Sequence, residues 1–239
     1  MDRLSPTRRP ARPSQGTQRW HELLFVHWEV DAAALKPLVH ERLTIDTFDG
    51  KAYVGVVAFT MQNVRPWSWL PGFPGASTFF EINVRTYVHL DGQEPGIVFF
   101  SLDASSTLAV LGARWFWGLP YYRTDISCAQ GWKADRRWPS GAPMTGFRAT
   151  FESGPALPPS RDGSLEFFFA ERYQFYARTK RGALRRARVH HPPYPLHAVP
   201  KSEVTPAFFA PLGLSAGPRT PDLFSPGVDV EVYPLEDVP

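Results

Sequence analysis

Apolar residues in this chain come in short blocks, and the 25 prolines scattered along its 239 residues favour many short strands over long helices. The aromatic and apolar run from 19 to 30 reads as a first strand. Asp31 suits the cap of a short helix over 32–39, in which Leu35, Leu38 and Val39 face inward and which Pro37 keeps brief. In KAYVGVVAFTM, residues 51–61, both faces are apolar, as expected of a strand covered on both sides. Residues 43–46 read as another strand, joined to it by the Phe48-Asp49-Gly50 turn. Residues 79–90 and 97–103 form a hairpin around Asp91-Gly92-Gln93-Glu94-Pro95. Further strands are expected at 121–128, 147–152, 164–169, 172–178 and 228–233, and Thr205-Pro206 starts a short helix ending near Gly213. The pattern is mainly β with a few short helices. A closed or nearly closed antiparallel sheet is its simplest architecture, because closure removes exposed edges.

Composition sharpens that picture. With 43% apolar and 21% charged residues the chain can bury a substantial core. The net charge of +3 is explained by residues 1–18, where Arg3, Arg8, Arg9 and Arg12 face Asp2 alone; the remainder balances 22 basic against 22 acidic side chains. Residues 1–18 therefore read as a disordered basic arm and 19–239 as a single domain, with no basic face for nucleic acid. No stretch approaches the length of a membrane span. Cys128 is the only cysteine, which rules out an internal disulfide and a multi-cysteine zinc site and fits a cytoplasmic setting. No cofactor motif is present: Gly112 and Gly118 are isolated, and HELLF at 21–25 lacks the second histidine of a zinc helix.

Period two places Glu81, Asn83, Arg85 and Tyr87 on one face of their strand. If Leu90 pairs near Gly96, Arg85 falls opposite Ser101 and Asn83 opposite Asp103, and five polar side chains gather on one surface; a one-residue slip would undo this. That surface is either a pocket wall or a solvated face with a structural Arg85–Asp103 pair.

Three stretches resemble the acetoacetate decarboxylase-like superfamily in order: DAAALKPLVHERLTID, FFEINVRTYV and AVLGARWFWGLPYY. The runs DTFDGKAYVGVVAF, FFSLDA, GLPYY, ERYQFYAR and HHPPYPL are similar to the YqjF-like family of that superfamily, a bacterial group, over about residues 19–200. The resemblance implies a cone-like β-barrel with a central pocket, and it matches Glu81 to the acidic residue of the decarboxylase pocket. In the decarboxylases a lysine follows the proline and forms a Schiff base, activated by a cationic neighbour. Here those positions are Tyr121 and Tyr122, and the five lysines (Lys36, Lys51, Lys133, Lys180, Lys201) lie in no matching segment. Schiff-base decarboxylation is therefore disfavoured.

The chemistry that remains assigns Glu81, Asp103 and Tyr121 as acid–base groups, and Arg85, Asn83, Ser101, Arg114 and Tyr122 as ligand-binding groups, with Arg85 gripping a carboxylate. Three readings follow: a binder of a small organic, carboxylated molecule; an acid–base enzyme acting on such a molecule; or an interaction module using the basic arm and Trp67 and Trp69. A homo-oligomer is compatible with each. The histidines of HHPPYPLH (His190, His191, His197) are expected in a structural loop rather than a metal site, Cys128 as a packed residue, and the 65–75 loop as a cover over the end of the barrel. Arg172 and Arg178 either line the pocket or pair with Glu171 and Glu166.

Overall fold

The computed structural model describes residues 1–69, 72, 77–116, 118–138, 145–179 and 181–238. Fourteen strands among them join in one sheet: β1 (Gly16–Val30), β2 (Leu43–Ile45), β3 (Ala52–Arg65), β4 (Phe79–Leu90), β5 (Gln93–Ala104), β6 (Tyr121–Ser127), β7 (Trp132–Trp138), β8 (Thr145–Glu152), β9 (Gln174–Arg178), β10 (Leu184–His190), β11 (His197–Ala198), β12 (Lys201–Thr205), β13 (Leu223–Val232) and β14 (Glu236–Asp237). The helices are α1 (Ala32–Leu35), α2 (Thr107–Phe116), α3 (Leu165–Ala170) and α4 (Phe209–Leu212). The order β5-β9-β10-β13-β1-β3-β4, with β4 pairing back onto β5, closes seven strands into a ring. The expected antiparallel pattern holds except at β5, which pairs parallel with both β6 and β9. The β5–α2–β6 connection is a crossover, which is what parallel neighbours require.

The doubly apolar reading of β3 is correct: every residue from Ala52 to Met61 is buried. Val54, Val56 and Ala58 pack into the core shared with β6–β8 and α4, while Val57, Phe59 and Met61 face the ring interior. Gly55 is a necessity of this packing, since a Cβ there would sit 2.6 Å from the ring of His27.

Local chemistry sets the element ends. Asp31 Oδ1 accepts from Ala33 N at 2.9 Å, so α1 begins as expected, but Pro37 turns its continuation into a 3-10 turn and leaves Leu38 exposed while Leu35 and Val39 are buried. The β4–β5 hairpin is tighter than expected. Asp91 and Gly92 alone form the turn, both at positive φ, as a two-residue loop with Asp-Gly favours, and β5 then begins at Gln93. Residues 164–169 are not a strand. Ser164 Oγ accepts from Phe167 N and caps α3, whose Phe167, Phe168 and Phe169 are all buried; a short apolar run carries no period that separates helix from strand. Helix α2, β7 and β10 lie in segments where no element was expected.

The first eighteen residues are not a free arm. Gly16 and Thr17 open β1, and the preceding residues lie along the domain. Arg3 forks onto Asp46 at 2.6 and 2.7 Å, Arg9 pairs with Glu231, Arg12 pairs with Glu236, and the Pro6 carbonyl accepts from Arg188. Three of these charges instead find acids far along the chain, at Asp46, Glu231 and Glu236, an arrangement that composition alone cannot reveal. No helix among the described residues is long and apolar enough to cross a membrane.

Candidate functional site

A cavity of about 500 Å³ occupies the ring, and each of the seven ring strands contributes to its wall. Most of the wall is apolar, with Trp20, Phe25, Phe59, Phe79, Phe99 and Tyr194 supplying its aromatic surface. Arg65 and Leu108 are the exposed residues of the lining, and with the half-buried Gln18, Trp67 and Gly112 they mark the opening. Helix α2 forms one side with a row of small residues, Ala109, Gly112 and Ala113. Its opposite face is exposed, including Trp115 at 85%.

Polar groups enter this cavity chiefly from β4. Glu81, Asn83 and Arg85 line it, and Tyr121 arrives beside them because β6 pairs with β5 at Leu102. All four are buried. Tyr121 Oη donates to Glu81 Oε2 at 2.9 Å. Burial pushes the Glu81 carboxyl up to about 8; hydrogen bonds from Tyr121 and Asn83 oppose the rise, and the negative charge of Asp103 adds to it. Burial and the Glu81 charge likewise hold the Tyr121 phenol well above its usual value. Asn83 Oδ1 has no donor.

Arg85 is the unusual member. Its Nη2 donates to the Phe169 carbonyl at 2.9 Å, its Nε has no partner, and among the described residues no carboxylate lies within ion-pair distance of it. The guanidinium sits 5.7 Å from the ring centres of Phe25 and Tyr87. Arg172, also in the wall, is different: its Nη1 bonds Asp46 Oδ2 at 2.9 Å, and Arg3 holds the same carboxylate from outside. Burial pulls the Arg172 guanidinium down to about 10, with Asp46 acting against that. Behind Arg85, His27 stacks on Phe169 at 3.7 Å, and its Nε2 lies 2.6 Å from Tyr87 Oη. Burial first, and then the Arg85 charge, keep this imidazole well below its usual pKa.

The expected five-residue surface does not form. Val88 pairs with Gly96, so Arg85 lies opposite Phe99; β5 then carries an extra residue, Phe100, and beyond it Asn83 faces Leu102 and Glu81 faces Ala104. This bulge reverses the alternation of β5. Ile97, Phe99 and Leu102 therefore line the cavity, whereas Ser101 and Asp103 point to the other side of the sheet. There Asp103 is held by Arg136 through two hydrogen bonds of 2.7 Å and by Thr124 at 2.7 Å, so it is no acid–base group for this cavity. Tyr122 alternates away from Tyr121 and lies 3.8 Å beneath the Arg136 guanidinium. Arg114 donates to the Tyr121 carbonyl at 2.7 Å and, with Tyr122 and Arg178, borders a separate cleft on the far side of α2. Of the residues expected from sequence, Glu81, Asn83, Arg85 and Tyr121 thus line one cavity, and Ser101, Asp103, Arg114 and Tyr122 lie outside it.

Other sequence candidates resolve as follows. Glu171 bonds Tyr173 Oη at 2.5 Å and the Tyr194 amide at 3.0 Å, so it pairs with neither Arg172 nor Arg178. His191 stacks on Tyr173 at 4.3 Å, His190 turns toward Glu231, and His197 meets the Gly154 carbonyl, so the three imidazoles do not converge. Trp67 borders the opening and Trp69 is 77% exposed rather than tucked over the barrel end; Leu70 and Phe73 lie outside the described residues. Sequence reasoning passed over Gln174, Tyr194 and the α2 wall. The spacing of Ala109, Gly112 and Ala113 at i, i+3 and i+4 is a signal that would have found the last.

Residues 17–229 match the model of the DUF2071 family, described as an uncharacterized conserved protein, and the chain belongs to that family. It is 39% identical over 181 residues to the uncharacterized protein YqjF of Bacillus subtilis (strain 168), spanning 74% of this chain and 73% of that protein. Among solved structures it is similar to the enduracididine biosynthesis enzyme MppR complexed with pyruvate, with a TM-score of 0.64 at 11% identity over 95% of this chain and 91% of the other. The acetoacetate decarboxylase of Legionella pneumophila aligns with a TM-score of 0.63 at 14% identity, covering 98% and 92%. An acetoacetate decarboxylase-like enzyme from Sphingomonas wittichii RW1 aligns with a TM-score of 0.63 at 14% identity, covering 95% and 94%. These likenesses establish an acetoacetate decarboxylase-like fold.

Proposed function

Taking that family and fold as premise, we propose that this protein binds a small organic carboxylate with a bulky apolar body, without forming a covalent bond to it. One observation carries the reading: Arg85 is a buried guanidinium in the wall of a largely apolar cavity, with no carboxylate from the described chain beside it. A buried charge left without a counter-ion is costly, and an anionic ligand removes that cost while its body replaces water on the apolar wall. The volume, about 500 Å³, lies in the range of small-molecule sites. No lysine is among the described residues lining the cavity, and Tyr121 stands where the resemblance places the imine-forming amine. One structural neighbour holds pyruvate, itself a carboxylate, which supports the ligand class.

The test is calorimetric titration of the full chain and of Arg85→Met with aliphatic and aryl-alkyl carboxylates and their uncharged amides. Carboxylates are expected to bind the parent chain, and both the amides and the variant are expected to lose at least about tenfold in affinity. Equal affinity of acids and amides would overturn the assignment of Arg85.

A second reading has its own support. Glu81, poised near 8 and hydrogen-bonded to Tyr121, is a carboxylic acid able to give or take a proton near neutral pH, so the same cavity supports acid–base turnover of its ligand. Product formation that is lost in Glu81→Gln, with ligand affinity retained, separates an enzyme from a receptor.

A further inference from the structure

The polar groups of the cavity are not one cluster. Glu81, Asn83 and Arg85 project from the same face of an unbroken β4, whose pairing with β3 runs without a shift from Val54–Thr86 to Met61–Phe79. Four residues of extended strand separate the backbone positions of Glu81 and Arg85 by roughly 13 Å. Their side chains then lean toward different neighbours. The Arg85 charge bears on His27, Tyr87, His191 and Tyr194, and its Nη2 reaches Phe169. The Glu81 carboxyl instead meets Tyr121 and Asn83. The wall between and around these poles is apolar and aromatic. Each pole also holds an unsatisfied group on a side chain more than nine-tenths buried, Arg85 Nε at one and Asn83 Oδ1 at the other. Buried polar atoms normally have partners; Arg172 Nη2 and Trp20 Nε1 are orphaned in the same wall, so the chain leaves hydrogen-bonding capacity unmet on four wall residues, of which Arg85 and Asn83 are the two on β4.

Resting on the carboxylate reading above, we infer that the ligand is bifunctional: a carboxylate at Arg85 and a hydroxyl at the Glu81–Asn83–Tyr121 end, joined by an apolar chain or ring that spans roughly 10 Å. The two poles differ in what they accept. Arg85 offers only donors and a full positive charge, and so selects an anion. The other end offers an acceptor without a donor in Asn83 Oδ1, together with the Tyr121 and Glu81 oxygens. A hydroxyl both donates and accepts and fits that set, whereas a second carboxylate has no hydrogen to give Asn83 Oδ1 and a methyl terminus would likewise leave Asn83 unpaired. The cavity therefore measures length as well as charge. A ligand too short satisfies one pole only, and one too long must buckle against the aromatic wall.

The experiment titrates the full chain with straight-chain ω-hydroxy acids from butanoate to dodecanoate, each beside the unsubstituted acid of the same length. The expected result is a gain of about tenfold from the hydroxyl at one intermediate length, fading on either side, and absent in Tyr121→Phe and Asn83→Leu, where hydroxylated and plain acids of the same length bind alike. Plain and hydroxylated acids binding equally at every length, with both weakened by Arg85→Met, would overturn the two-pole inference and leave the carboxylate reading standing. Failure of every acid to bind would remove both. Asn83→Leu is buried and its fold is checked by circular dichroism; Tyr121→Phe, which removes one oxygen, carries the test if it does not fold.

Discussion

The Glu81 carboxyl gives the sharpest physical test, because its consequence appears in the free protein before any ligand is known. An isolated glutamate titrates near 4.5, while burial beside Asn83 and Tyr121 raises this one to about 8. The folded chain therefore keeps a proton that the unfolded chain has already released, and stability must fall as pH rises across that window. The contribution is fully present below the unfolded value and is lost as pH passes through the folded one. At about 1.4 kcal/mol for each pH unit, the window corresponds to a loss of at most about 5 kcal/mol. Glu81→Gln keeps an acceptor for the Tyr121 hydroxyl and removes the titration. Urea unfolding of both proteins from about pH 5 to about pH 9 isolates the effect, since every other group titrates alike in the two chains and cancels in the difference. The variant is expected to gain on the parent steadily across the window, by about 3 kcal/mol or more at the alkaline end. Stability curves that stay parallel over the whole range would refute the account of Glu81 as a desolvated carboxyl and with it the acid–base reading of the cavity.

Further outcomes follow from other parts of the same architecture. Asp46 is buried, yet Arg3 and Arg172 outweigh the desolvation and hold its carboxyl below the usual value; Asp46→Asn leaves the Arg172 guanidinium buried without its counter-ion and is expected to cost about 3 to 5 kcal/mol in chemical unfolding, with stability in the parent declining as acid protonates this group. His191, chiefly through burial, is lowered to about 4, so the parent loses stability as pH falls below the unfolded value of 6.5, by up to about 3 kcal/mol; His191→Phe is expected to flatten that acid limb in the same urea series. A Cβ at Gly112 would meet nothing within 4 Å, so Gly112→Leu is expected to fold normally by circular dichroism while its side chain enters the cavity opening and weakens carboxylate binding. Ser164→Ala removes the cap of α3, with an expected loss of about 1 kcal/mol in thermal or chemical unfolding.

Much of the architecture was legible in one dimension because its causes are local. The two apolar faces of β3, the cap at Asp31, the proline that ends α1 and the bounds of β4 each follow from neighbouring residues acting on the same stretch of backbone. The β4 part of the candidate site, Glu81, Asn83 and Arg85, was readable for the same reason: a straight strand alternates without exception. The resemblance of GLPYY to a lysine-bearing segment supplied Tyr121, which periodicity would not have placed.

What the sequence could not decide was everything that depends on which segments meet. One extra residue at Phe100 reverses the phase of β5, sends Asp103 to Arg136 on the far side of the sheet and removes two of the five residues of the expected polar surface. A bulge costs little locally and leaves no fixed residue pattern, so its position emerges only from pairing with β4 and β6. The N-terminal arginines read as a solvated tail because their acids, Asp46, Glu231 and Glu236, are far away along the chain and adjacent only in the fold. The same holds for the charge balance of the cavity. Arg85 and Arg172 are indistinguishable as arginines, but closure of the ring gives Asp46 to one and no described carboxylate to the other. Local preferences act between residues a few positions apart, whereas burial and ion pairing act through space, and only the closed sheet fixes those distances.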